Sequence, residues 1–230
     1  MKKYLNCYTI FNALLILAVL IEDVFFILKG TLLIKSITSA CFVLLGALNL
    51  YFAFKNKAEN KKFCILMLVG LFFAMLGDIL LEIEFIVGAL LFAVGHVFYF
   101  IAYCHLLPFK WKDLIYGAAI FVPATLFIVL APIFDFGGTL MELVCVFYAV
   151  IISCMVGKSI SNVVKEKSLL TILLLVGSFL FFFSDLMLLL NVFGNMPRVI
   201  GVLCLATYYP AECVLAFAIS KSVKKQGKCD

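Results

Sequence analysis

The stretch CILMLVGLFFAMLGDILL (Cys64–Leu81) decides the class of fold. It is apolar from end to end except for Asp78, and it is long enough to cross a bilayer, which takes about 20 residues of helix. Its flanks are as informative: Lys61 and Lys62 precede it and Glu82 follows it. The same pattern recurs along the whole chain. Apolar runs read as spans at about Cys7–Ile27, Leu32–Phe54, Cys64–Leu81, Phe85–His105, Leu114–Ile133, Leu140–Val156, Leu169–Leu190 and Val199–Ser220. The joints between them are too short for a separate soluble domain. The composition agrees: 66% of the 230 residues are hydrophobic and 13% are charged, and mean hydropathy is +1.22. Soluble domains are roughly 45–50% apolar and about 25% charged. A soluble enzyme, a nucleic-acid binder and a disordered chain are excluded. The expected fold is all-α, a polytopic membrane bundle of eight transmembrane helices forming one domain over residues 1–230.

The basic residues give orientation. Fifteen of the 18 Lys+Arg residues fall before the first span, between the second and third, fourth and fifth, sixth and seventh, or after the last. Lys224, Lys225 and Lys228 belong to the final group, while Lys29, Lys35 and Arg198 lie towards the other side. The positive-inside rule then places both termini in the cytoplasm. Lys2 and Lys3 ahead of an apolar run resemble a signal peptide, but no small-residue cleavage site follows, so helix 1 is read as retained. The nine cysteines, Cys229 among them, form no C-x-x-C pair and read as small packing residues.

Leu71-Phe72-Phe73 with Gly77-Asp78 in the third span is echoed by Phe181-Phe182-Phe183 with Ser184-Asp185 in the seventh. This suggests two four-helix halves, 1–110 and 111–230, related by a parallel repeat that would make Asp78 and Asp185 equivalent.

Ionisable groups within a span are costly and are functional candidates by default. At a rise of ~1.5 Å per residue, Asp78 and Asp185 lie about 21 and 24 Å from the cytoplasmic ends of their helices, at one level. Each is expected to find its partner in the other, with water. His96 and Tyr99 share a face of the fourth span, and Tyr208 and Glu212 a face of the eighth. Glu22 and Asp23 are read with even odds as ending helix 1 at the interface. Lys35 and Arg198 are read as snorkelling to outer headgroups, compatible with holding a phosphate. Gly70, Gly77, Gly88 and Gly95 are expected to let helices 3 and 4 pack closely. The cytoplasmic half of the bundle is expected to hold few polar groups. With only His96 and His105, a three-histidine zinc site is excluded.

At these residues the sequence resembles the YhhN-type lysoplasmalogenase family of integral membrane hydrolases. The resemblance is carried by Gly77-Asp78-Ile79-Leu80-Leu81, by Gly88 through Phe92 to Gly95-His96-Val97-Phe98-Tyr99, by Phe183-Ser184-Asp185, and by Thr207-Tyr208-Tyr209 with Ala211. Lys35 and the segment from Tyr148 to Met155 resemble weaker family positions. Two departures stand out: Ser36 where the family often has proline, and Glu212 where it often has glutamine.

The resemblance implies hydrolysis of the vinyl ether bond of lysoplasmalogens, lysophospholipids drawn from the bilayer, to a fatty aldehyde and a glycerophospho-base. Asp78 and Asp185 would be the catalytic pair, with no metal and no organic cofactor. Such an ether is opened by protonating its β-carbon and capturing the resulting cation with water, which needs one carboxylic acid and one carboxylate. Asp78, one turn from Glu82, is assigned as the acid and Asp185 as the stabilising base. His96, Tyr99, Ser184, Tyr208 and Glu212 would support the pair, and Lys35 and Arg198 would receive the phosphate. The rival readings are a small-solute or proton-coupled transporter and a non-catalytic lipid-binding protein. A bacterial inner membrane is the simplest location.

Overall fold

The computed structural model describes residues 2–223, with side chains from residue 8 onward. Lys224, Lys225, Lys228 and Cys229 lie outside the described residues. Eight helices follow one another: α1 Lys2–Lys29, α2 Leu32–Lys55, α3 Lys61–Leu81, α4 Phe85–Leu106, α5 Asp113–Leu130, α6 Thr139–Lys165, α7 Leu169–Phe193 and α8 Val199–Ala218, closed by a 3-10 turn over Ile219–Ser222. All eight are long and apolar enough to cross a membrane. Helices satisfy every internal backbone group within the segment, which lipid demands. Where they start, side chains complete the bonding. Asn60 accepts from the Phe63 amide at the head of α3, and Ser168 and Thr171 form a reciprocal capping box at the head of α7. Leu14, Leu28, Leu33, Leu130, Leu140 and Phe147 lie on the outside, as apolar side chains do in an integral multi-pass membrane protein.

Six helices close a ring, α2–α3–α4–α6–α7–α8 and back to α2, each packed on the next. α1 lies outside, over both α2 and α8, whereas α5 lies against α6 alone. The order of contacts therefore repeats: α2–α3–α4 is followed by α6–α7–α8, and each triplet docks its last helix on the first helix of the other. Inside the ring Phe42, Leu45, Met67, Leu71, Leu174, Phe181 and Leu215 are buried. α3 and α4 pack backbone to backbone: a Cβ at Gly88 would lie 2.5 Å from the Leu81 backbone, and one at Gly95 3.1 Å from the Gly70 carbonyl. The glycines of these two helices serve the close packing expected of them.

Three expectations need correction. Glu22 and Asp23 do not end helix 1, because α1 runs on to Lys29 and Asp23 is 4% exposed. α6 does not stop at Val156 but continues through Gly157–Lys165. The end of the bundle that carries the chain termini is not poor in polar groups. There Asp113 takes Lys158 at 3.0 Å, Lys165 at 2.6 Å and the Ser161 hydroxyl at 2.8 Å. The Lys158 side chain is wholly buried. Pairing is what permits this, since an unpaired charge would not stay inside. At the same end Asn49 bonds Asn12 and accepts from Tyr8, tying α1 to α2.

Candidate active site: two carboxylates lining one polar cavity

At the end of the bundle away from the termini, residues of α1, α2, α3, α4, α7 and α8 line a cavity of about 290 Å³. Lys35, Asp78, Glu82, Ser184, Asp185, Arg198 and Tyr208 all line it. A second, apolar groove of about 100 Å³ runs between α4, α5, α6 and α7, among Phe85, Phe92, Phe127, Phe182 and Phe193. Asp185, Phe92, Leu81 and Leu188 belong to both. Asp185 is the one ionisable residue they share. α5, which lines the groove, packs on α6 and makes no contact with α4.

The local sequence explains how Asp78 is held. Lys35 and Ser39 are one turn apart on α2, and Asp78 and Glu82 one turn apart at the end of α3, so each pair shares a face. The faces meet. Lys35 Nζ lies 3.1 Å from Asp78 Oδ1 and 2.8 Å from Glu82 Oε1. Ser39 donates to Asp78 Oδ2 at 2.5 Å, and Tyr209 of α8 donates to the same oxygen at 2.9 Å. The Lys35 ammonium also stands 5.3 Å from the Phe26 ring. The snorkelling reading of Lys35 therefore fails: the residue is 3% exposed and its charge is matched by two carboxylates.

Asp185 is held differently. Its Oδ2 accepts one hydrogen bond, from Tyr148 of α6, at 2.7 Å, and no cation lies within salt-bridge distance among the described residues. The expected mutual pairing of the aspartates is not what forms. Each finds separate protein partners, and what they share is the cavity. The preceding Ser184 donates to the Cys204 carbonyl at 2.9 Å and fastens α7 to α8.

The remaining candidates divide. Tyr99 donates to Glu212 Oε2 at 2.8 Å, with both residues fully buried. His96 packs its ring 4.5 Å from Phe181 and 5.5 Å from Tyr148, centroid to centroid. Tyr208 contributes a ring, in edge contact with Phe92 and Phe181, and its hydroxyl reaches only the Ala74 carbonyl at 3.5 Å. Its neighbour Tyr209 makes the bond to the carboxylate. Arg198, at the head of α8, donates to the Ile27 carbonyl at 3.2 Å and is otherwise open to the cavity. Sequence reasoning missed Ser39 altogether and gave Tyr148 and Tyr209 no role. The i,i+4 spacing of Ser39 from Lys35 was the available signal. Among the described residues no group of three His, Cys, Asp or Glu is placed to hold a metal ion.

No curated protein and no solved structure matches the chain. A sequence model of the YhhN family matches residues 30–219. The match begins at the α1–α2 joint and runs to the 3-10 turn, leaving α1 outside and taking in Lys35, both aspartates, His96, Tyr148 and the Tyr208-Tyr209 pair. By that match the chain belongs to the YhhN family.

Proposed function

We propose that this protein is an ether hydrolase that cleaves the vinyl ether bond of lysoplasmalogens, releasing a fatty aldehyde and a glycerophospho-base. Membership of the YhhN family supports the reaction class. The observation that carries the reading is the position of Asp185, on the wall shared by the polar cavity and the apolar groove. A lysophospholipid has that same division, a charged head joined to one long chain, and its vinyl ether lies at the junction. With the headgroup beside Arg198 and the chain along the groove, the bond to be broken falls at Asp185.

The environments support a division of the acid–base roles opposite to the one expected from sequence. Asp78 sits against an ammonium and accepts from two hydroxyls, the setting of an ionised carboxylate. Asp185 has a single tyrosine donor and no counter-ion, the setting of a carboxylic acid. Asp185 gives its proton to the β-carbon of the alkenyl chain. The cation that forms on the α-carbon is stabilised by the Asp78 carboxylate and captured by water. General acid catalysis of this kind contributes about 10²–10⁴-fold. Lys35 is occupied with Asp78 and Glu82, so phosphate recognition falls to Arg198. The termini would lie in the cytoplasm and the cavity would open to the other side, in a cell membrane.

The test is aldehyde release by the purified protein from a 1-alkenyl lysophospholipid, with the 1-alkyl and 1-acyl analogues as controls. Release from the alkenyl lipid alone is expected. A folded protein that releases none, yet takes up solute in proteoliposomes, would be a carrier.

A further inference from the structure

Among the described residues with a buried, unpartnered polar atom, two lie beside the candidate pair. His96 is 1% exposed and neither ring nitrogen meets a protein partner; Glu212 is fully buried and its Oε1 meets none. Leaving a buried polar atom unsatisfied is costly, and native proteins keep few without a reason. A histidine in a membrane bundle ordinarily ties helices together by its hydrogen bonds. His96 makes no such bond, so helix tying does not explain it.

The place of these atoms gives a reason. Asp185 on α7 accepts from the Tyr148 hydroxyl. The Tyr148 ring on α6 meets the His96 ring edge-on, with centroids 5.5 Å apart. Tyr99, one turn from His96 on α4, has its ring centroid 6.3 Å from that of His96 and donates to Glu212 on α8. Five polar side chains from four helices thus stand in order, Asp185–Tyr148–His96–Tyr99–Glu212, hydrogen-bonded at the two ends and joined at His96 by ring contacts. Phe181 of α7 closes its flank. The rings of Tyr99, Tyr148 and Phe181 pack on His96, and no described carboxylate forms an ion pair with it.

We propose that His96 is a proton-relay residue, which takes the proton released by the attacking water and returns it through Tyr148 to Asp185, with Glu212 at the far end. The proposal rests on the vinyl ether reading. The Asp185 proton forms the new C–H bond with the electron pair of the double bond, leaving the cation on the ether-bearing carbon. The water oxygen bonds that carbon and loses one proton, which reaches an imidazole nitrogen through a second water, since His96 lines neither the cavity nor the groove. A water on the unpartnered imidazole carries a proton on to the Tyr148 oxygen as that hydroxyl gives its own to Asp185, which restores the enzyme. The hemiacetal then breaks its carbon–oxygen bond to glycerol, and its hydroxyl proton ends on the departing oxygen. One water is consumed.

The experiment uses the full chain with His96→Gln and His96→Ala. His96→Gln is expected to lower kcat at least about tenfold with KM within about twofold, and imidazole in the buffer is expected to restore turnover to His96→Ala, since a relay supplies part of an acid–base contribution of about 10²–10⁴-fold. A merely structural histidine would give no such rescue. A second measurement does not depend on turnover. The chain has two histidines, so a His105→Gln background leaves His96 as the only ¹⁵N-histidine signal. Its ring-nitrogen shifts are expected to move on Glu212→Gln and on Asp185→Asn. An active wild type with His96→Gln at full kcat overturns the relay alone, as do ring shifts indifferent to both substitutions. A folded wild type that releases no aldehyde overturns the vinyl ether reading and the relay with it. Should His96→Gln fail to fold, the ring shifts decide.

Discussion

Lys35 Nζ and Asp78 Oδ1 lie 3.1 Å apart with each side chain 4% exposed, an ion pair sealed between α2 and α3. Breaking a buried pair by removing one member leaves the other charge uncompensated, at a cost of about 3–5 kcal/mol. Lys35→Met is therefore expected to lower resistance to denaturation in detergent by about that amount. The double variant Lys35→Met/Asp78→Asn should recover much of the loss. Thermal melts of the wild type, both singles and the double complete the cycle. Purely additive losses would show that the two residues are not coupled.

The two aspartates should fail differently when substituted. Asp185 has one tyrosine partner and no ion pair, so Asp185→Asn is expected to keep wild-type stability within about 1 kcal/mol while lowering turnover at least about 100-fold. Asp78→Asn should lose both turnover and stability, because it strands Lys35 beside Glu82 alone. Parallel melting curves and aldehyde assays separate these outcomes. Near-wild-type turnover in either variant would end the pair mechanism.

The groove between α4 and α5 has small residues, Ala89 and Ala124, on facing walls. Tryptophan at either position should exclude part of a bound chain. Each methylene denied burial costs about 0.8 kcal/mol, or about fourfold in KM. The rise should be steep for long chains and slight for short ones. KM measured across a chain-length series checks this, and a rise independent of length would place the chain elsewhere.

Far from the cavity, Asp113 compensates the buried Lys158 and also binds Lys165. Asp113→Asn should destabilise by about 3–5 kcal/mol and loosen α5 from α6. The surviving folded fraction should turn over normally. Activity normalised to folded protein, measured alongside the melt, gives the answer.

The spans were legible because the bilayer imposes one length and one composition on every crossing helix. What escaped was pairing between helices. Hydropathy stops counting at Lys158, yet α6 continues to Lys165 because Asp113, 45 positions earlier, compensates that lysine. Lys35 near a helix end resembles a snorkelling residue until Asp78 is brought beside it. Adjacent tyrosines on α8 point about 100° apart. Which of them reaches the carboxylate depends on the rotation of the helix, and the sequence carries no sign of that. The depth of the aspartates follows from counting residues; their separate partners do not.

Asp185, on a wall with water-accessible polar groups on one face and hydrocarbon on the other, has a consequence for the direction of the reaction. For a lysophospholipid cut there, the two fragments belong to different phases. The aldehyde remains dissolved in the lipid, and the glycerophospho-base diffuses into water. Recombination would require both to return to one carboxyl group from opposite sides. On the proposed reaction the protein would work as a sorting point as much as a catalyst, and dilution of the soluble fragment would keep hydrolysis running forward.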